Sequence, residues 1–155
     1  IAMIETPNIT ETTSQMTAVI PVVIPRNEIR NVMGPGINEL LGTVGKQGVN
    51  FAGPVFTRHR RLDPEVFDFE ISVPVAASVQ AEGRVQPSEW PAETVARTIY
   101  HGPYEGLGAA WEEFDNWIVA QGKIPGQSLY ESYVAGPESS PDPATWRTEL
   151  IRTLG

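Results

Sequence analysis

Apolar and polar residues alternate most cleanly in Val66-Phe67-Asp68-Phe69-Glu70-Ile71-Ser72-Val73, where Phe67, Phe69, Ile71 and Val73 share one face and Asp68, Glu70 and Ser72 the other. That period of two predicts a half-buried β-strand. Upstream, the β-branched run from Met16 to Ile24 predicts another strand, followed by a short helical turn from Asn27. Ile37, Leu40, Leu41 and Val44 then recur at helical spacing behind Pro35, a residue that costs little in a helix's first turn, and Gly45 and Gly48 close that helix. A further strand is expected over 54–60.

The second half repeats this order. A strand over 93–100 leads through His101-Gly102-Pro103-Tyr104-Glu105-Gly106 into a helix whose Leu107, Ala110, Trp111, Phe114, Trp117 and Ile118 form one apolar stripe, ended by Gln121-Gly122. Strands follow over 129–134 and in the terminal Trp146-Arg147-Thr148-Glu149-Leu150-Ile151-Arg152-Thr153-Leu154. The chain thus reads twice as strand, helix, strand, strand, an internal duplication of α+β class. Laying the last strands over each other sets Asp68-Phe69-Glu70-Ile71 against Arg147-Thr148-Glu149-Leu150, so Glu70 and Glu149 are equivalent. Joined into one curved antiparallel sheet with both helices on one face, the two units would leave Glu149 near the floor of a groove on the other face.

Prolines and glycines, fourteen of each, punctuate the chain without forming a low-complexity tract. Residues 16–155 are therefore expected to form one domain behind a flexible segment, 1–15. A chain of 155 residues can bury a core without staples, and it has no cysteine, which excludes a zinc–cysteine site, a disulfide scaffold and a thiol nucleophile. That usage fits a reducing compartment, and a cytoplasmic location is expected. The longest apolar run is broken by Pro21 and falls short of the roughly 20 residues that span a bilayer. No basic stretch followed by a long apolar one marks a signal peptide, so neither a leader nor a membrane partner is expected.

The net charge of −8 argues against a phosphate backbone as partner, and the acidity is concentrated after residue 80, where 11 acids face 5 bases. No Gly-rich phosphate loop, Gly-x-Ser-x-Gly or His-Glu-x-x-His occurs, and no metal or cofactor is expected. What the composition favours is a cation. Tyr133, Trp90, Phe56, Phe51 and Tyr104 form a surplus of aromatics outside the helical stripes, and a carboxylate among aromatic faces attracts a flat organic cation through both its charge and the ring quadrupoles.

At His101-Gly102-Pro103-Tyr104-Glu105-Gly106-Leu107 the chain resembles the HGPY-x-x-L turn of GyrI-like proteins, the effector-binding module also found in multidrug-sensing activators and grouped with SOUL proteins. Pro91-Ala92-Glu93, Tyr130-Glu131-Ser132-Tyr133, Trp146-Arg147-Thr148-Glu149-Leu150 and the segment from Phe67 to Val75 are similar to the same family in order and spacing, so that the resemblance covers Met16 to Leu154. It implies a duplicated βαββ fold with a ligand cleft on a pseudo-two-fold axis. In the multidrug-sensing relatives a terminal-strand glutamate contacts lipophilic cations and aromatics stack on them. Glu149 is the matching glutamate and Tyr133 the matching tyrosine. Trp90, Tyr104 and Phe56 join the site from the aromatic pattern, and Glu70 from the duplication. Thr153 stands where the family often has proline, and no helix-turn-helix segment is visible, so a stand-alone effector domain that does not itself bind DNA is expected.

The expected function is binding of hydrophobic, cationic or planar aromatic molecules. Three alternatives stay open. Some GyrI-like proteins are hydrolases of cyclopropanoid alkylators, and Glu149 would then position water as the catalytic carboxylate. A gyrase-modulating or other protein partner could be met by the acidic Glu112-Glu113-x-Asp115, although those positions lie opposite the apolar stripe and read as a solvated face. Haem binding, as in SOUL proteins, would draw on His59 with Arg58, Arg60 and Arg61 beside it, His101 being better read as orienting its turn.

Overall fold

The computed structural model describes residues 4–62, 64–137 and 139–154, and the side chains of Arg30, Arg61 and Leu62 lie outside the described residues. In chain order the elements are strands β1 (Asn8–Glu11) and β2 (Gln15–Pro25), a 3-10 turn (Arg26–Glu28), helix α1 (Ile29–Lys46), strands β3 (Phe56–Leu62), β4 (Val66–Pro74), β5 (Gln86–Trp90) and β6 (Thr94–His101), a second 3-10 turn (Tyr104–Gly106), helix α2 (Leu107–Ala120), strand β7 (Pro125–Ala135), a third 3-10 turn (Pro143–Thr145) and strand β8 (Arg147–Leu154). They fall into two compact units, Thr13–Ala92 and Ile1–Thr12 with Glu93–Gly155.

Each unit is a strand, helix, strand, strand repeat with one additional edge strand, all paired antiparallel. In the Thr13–Ala92 unit β4 lies between β3 and β2, and β5 pairs with the outer side of β2. In the Glu93 unit β8 lies between β7 and β6, and β1 pairs with the outer side of β6. The spatial orders β3-β4-β2-β5 and β7-β8-β6-β1 are therefore the same. Even the irregularity repeats, for the register slips by one residue between His59 and Arg61 in β3 and again between Tyr133 and Ala135 in β7. A β-bulge of this kind bends its strand and re-aims the side chains around it.

Within each unit one helix covers one face of its four strands. Leu40 and Val44 of α1 are buried with Ile20, Phe69, Ile71 and Val73, while Ala110, Phe114 and Ile118 of α2 are buried with Ala96, Tyr100 and Leu150. Burying each large side chain of this kind contributes about 1.5–3 kcal/mol. The duplication, the two main helices and the α+β class are as the pattern predicts.

Three elements differ from the sequence reading. Helix α1 begins at Ile29, so Pro35 stands inside it and not in its first turn. Ile29, Val32 and Met33 pack on the same core as Ile37 and Leu41, so the apolar stripe continues upstream and its burial outweighs the proline. Gly36 has a packing role here, because a Cβ at that position would overlap the side chain of Ile71 beneath the helix. The other two differences are the edge strands. Asn8–Glu11, set apart with the segment 1–15, pairs with Thr94–Arg97, and Gln86–Trp90 pairs with Gln15–Val19. Both are short and polar, and Pro87 is tolerated because an edge strand has a side that needs no N–H donor.

His59 belongs to this core. It lies opposite Phe69, its ring stacks on Phe69 with centroids 5.3 Å apart and meets the edge of Phe67 at 5.6 Å. Burial, aided by the nearby Arg26 cation, lowers its pKa from 6.5 to about 4. The folded chain thus keeps His59 neutral, and as pH falls from 6.5 towards 4 the unfolded chain gains the proton first. Stability held above pH 6.5 is expected to decline across that window by up to about 3 kcal/mol. Urea denaturation of wild type and His59→Phe at pH 7 and pH 4.5 checks this. The substitution should remove most of that extra acid sensitivity, and parallel losses in both proteins would contradict the assignment.

Candidate ligand site

The His101–Gly106 segment is a packing device that delivers one aromatic ring. Strand β6 ends at His101, and Gly102 follows with φ of 140°, a backbone conformation that side chains rarely adopt, while its N–H donates to the Trp146 carbonyl at 3.0 Å. Buried Tyr100 donates its hydroxyl to the Pro103 carbonyl at 2.7 Å. Gly106 closes the turn with an N–H to the same carbonyl, and a Cβ there would occupy the space of the Tyr100 hydroxyl. Tyr104 is thereby held at the entry to α2, with its ring 5.1 Å from Trp146 and 5.9 Å from Tyr133. His101 does not orient the helix start. Its Nε2 lies 2.6 Å from a Glu5 carboxylate oxygen and ties the segment before β1 to the turn.

Beneath these rings lies a carboxylate. Glu131 in β7 is two residues from Tyr133, so the two share a face, and the Tyr133 hydroxyl donates to one Glu131 oxygen at 3.1 Å. Trp111 of α2 donates its indole N–H to the other oxygen at 2.7 Å. Both donors are neutral, and among the described residues no lysine, arginine or histidine ion-pairs with Glu131. Burial pushes its carboxyl pKa above the usual 4.5, against the opposing pull of the two hydrogen bonds.

Glu149 has the opposite setting. The register places Ser132 opposite Glu149 and Tyr133 opposite Thr148. Glu149 therefore projects from the face away from α2, and Tyr133 from the face that carries α2. The expected grouping of Glu149 with Tyr133 and Tyr104 on one floor does not occur, since alternation within a strand does not reveal which residues of a neighbouring strand lie opposite. Glu149 also has a cation of its own, Arg97 of β6, whose Nη2 and Nε donate to one carboxylate oxygen at 2.9 and 3.1 Å.

In the Thr13–Ala92 unit, Phe56 and Trp90 touch with centroids 4.5 Å apart, and Phe56 is buried. Glu70 lies 3.8 Å from both Arg58 and Arg60, and Arg60 also binds Asp68 at 2.8 Å. Asp115, read from sequence as part of a solvated acidic face, accepts two 3.0 Å hydrogen bonds from Arg152 of β8, whose guanidinium also donates to the Gly126 carbonyl at 2.8 Å. No cluster of three or more His, Asp or Glu suited to a metal occurs among the described residues.

The sequence reading did not single out Glu131, Trp111 or Trp146, which the fold brings together with Tyr104 and Tyr133. Glu131 carried a signal in Tyr130-Glu131-Ser132-Tyr133, whose alternation places glutamate and tyrosine on one face. Trp111 was hidden in the apolar stripe of α2.

Residues 36–152 match the family model of the GyrI-like small molecule binding domain. The chain belongs to that family. No curated protein matches the sequence. Among solved structures, this GyrI-like domain is similar to the EcmrR C-terminal domain, with TM-score 0.84, 22% identity and 97% of each chain covered. In the EcmrR–DNA complex the match has TM-score 0.85 and 22% identity and covers 99% of this chain, which spans 58% of the EcmrR chain. SAV2435 bound to tetraphenylphosphonium has TM-score 0.65 and 11% identity, with 97% of this chain and 94% of that one covered. A hydrolase encoded by lin2189 from Listeria innocua has TM-score 0.66 and 10% identity, with 96% and 91% covered. At these identities the likeness is one of fold. No helix among the described residues is long and apolar enough to cross a membrane.

The glycine turn generates a direct test. Gly106→Ala should displace the Tyr100 hydroxyl from the Pro103 carbonyl and destabilise the domain by about 1–3 kcal/mol in urea denaturation. A value within 0.5 kcal/mol of wild type, roughly the range of neutral surface substitutions, would show that the turn relaxes freely.

Proposed function

We propose that this GyrI-like domain binds hydrophobic organic cations at the cluster of Tyr104, Trp111, Glu131, Tyr133 and Trp146. The observation that carries the reading is the partly buried Glu131 carboxylate, hydrogen-bonded among the described residues by two neutral donors and set beside the clustered rings of Tyr104, Tyr133 and Trp146. A carboxylate taken out of water is costly, and two neutral hydrogen bonds offset that cost only in part. A cation completes the compensation. A lipophilic cation does so with little desolvation loss of its own, and its rings gain the faces of Tyr104 and Trp146. The protein's net charge of −8 draws such a guest towards the surface and repels nucleic-acid phosphates. The tetraphenylphosphonium in SAV2435, a protein of similar fold, is a ligand of this chemistry.

Ethidium titration followed by fluorescence tests the assignment. Glu131→Gln keeps the shape and one acceptor, and is expected to weaken binding by about tenfold or more, or about 1.4 kcal/mol, while leaving thermal stability at neutral pH at least that of wild type. Glu149→Gln, whose native partner is Arg97, should change affinity by less than about threefold. Equal affinity in wild type and Glu131→Gln, or the larger loss in Glu149→Gln, overturns the reading.

The pH dependence follows from the raised pKa of Glu131. Where the empty site holds a protonated carboxyl, cation binding must expel that proton. Affinity for ethidium is expected to rise with pH above 4.5 until Glu131 is ionised in the empty domain, and Glu131→Gln should flatten that rise. A wild-type profile as flat as that of the variant would contradict it.

A further inference from the structure

The internal duplication supplies a second view of the same corner of the fold. Aligning Glu70 with Glu149 sets Phe67 against Trp146 and Phe69 against Thr148. The paired registers of β3 and β7 set His59 against Tyr133 and Thr57 against Glu131. The 3-10 turns, each entered through a proline, set Arg26 against Tyr104. In the Thr13–Ala92 unit the guanidinium carbon of Arg26 lies 4.4 Å from the centroid of Phe67. In the Glu93 unit the corresponding pair is Tyr104 on Trp146 at 5.1 Å. This corner of the repeat therefore accommodates a planar N–H cation on an aromatic face. One repeat provides that cation itself.

The other repeat has exchanged the cation for a ring and added polar groups below it. Glu131 replaces Thr57, and Thr148 replaces Phe69. Thr148 is fully buried, and its hydroxyl has no hydrogen-bond partner among the described residues. A buried hydroxyl in that state is unfavourable and is rare in folded proteins. Thr148 lies opposite Tyr133, and Glu131 opposite Leu150 on the same face, so hydroxyl and carboxylate belong to diagonal neighbours roughly 7–8 Å apart at the backbone. Both accept hydrogen bonds, and a flat cation with N–H groups on its edge presents donors to both at once.

We infer that the site selects planar cations bearing N–H donors, of the amidinium, guanidinium or aminoacridinium class, over cations of equal charge without them. The inference rests on the cation-binding reading above and narrows it. Charge and ring stacking hold any lipophilic cation, whereas the Thr148 hydroxyl and the remaining lone pairs of Glu131 reward only a donor. A tetrahedral phosphonium gains nothing from them.

The test compares two planar acridinium monocations by fluorescence titration at neutral pH. Proflavinium carries amino groups, and 3,6-bis(dimethylamino)-10-methylacridinium carries no N–H. Wild type is expected to bind proflavinium about tenfold or more tightly, and Thr148→Val to cut that ratio below about threefold by weakening proflavinium alone. Thr148→Ser, which keeps the hydroxyl, should retain the preference. Thermal unfolding of Thr148→Val should match or exceed wild type, because the substitution removes an unpartnered hydroxyl. A preference unchanged in Thr148→Val would be steric, and like equal binding of the two dyes it overturns this inference while leaving the cation reading intact. Saturable binding of neither dye to wild type overturns both. Should Thr148→Val not fold, loss of the preference in Thr148→Ala with retention in Thr148→Ser supports the inference, and retention in both overturns it.

Discussion

The pairing of β7 with β8 in the register that sets Ser132 opposite Glu149 and Tyr133 opposite Thr148 is the constraint on which the site depends. It sends two glutamates of neighbouring strands to opposite faces of one sheet. Glu149 emerges where Arg97 meets it with two guanidinium hydrogen bonds. Glu131 emerges under α2, where among the described residues an indole N–H and a phenol reach it. A slip of one residue would exchange these environments, because every side chain of the strand would change face. The electrostatic character of the site is thus a consequence of backbone pairing.

The supporting parts follow from that placement. Trp111 can donate to Glu131 because α2 starts where the His101–Gly106 turn directs it, and the turn is held by Tyr100 on the Pro103 carbonyl and by Gly102 on the Trp146 carbonyl. The same contacts bring Tyr104 onto Trp146. Arg152, bonded to Asp115 and to the Gly126 carbonyl, ties α2 and the start of β7 to β8. Arg152 is buried while Asp115 stays partly exposed, and the pair limits how far α2 can shift over the strands.

Duplication explains how one fold holds two such different corners. Both repeats keep the strand order, the bulge in the same place and the proline-led turn before the helix. In one repeat the corner is closed by groups of the chain itself, with Arg26 over Phe67 and a neutral His59 stacked on Phe69. In the other, a partly buried carboxylate is held by two neutral donors, and a fully buried hydroxyl has no hydrogen-bond partner among the described residues. The backbone is common to both, and the difference in chemistry rests on a few side chains.

Much of the fold was legible in the order of residues. Period-two alternation located β4, helical spacing located the stripes of α1 and α2, and self-similarity revealed the repeat, because each is a local property of neighbouring side chains. Asn8–Glu11 and Gln86–Trp90 were not legible, since short polar edge strands acquire their structure from the strand they join. Pro35 concealed the first turns of α1, whose stability comes from packing on β2 and β4. Of the residues nominated from sequence, Tyr133 came from the family resemblance and Tyr104 from the aromatic pattern, and the fold brings their rings to 5.9 Å. Which glutamate lies beside them was decided by tertiary structure alone. Strand register, the Arg97–Glu149 pair and the desolvation of Glu131 each join residues far apart in sequence, and no local pattern records which of two similar carboxylates will meet an arginine and which will be left to neutral donors.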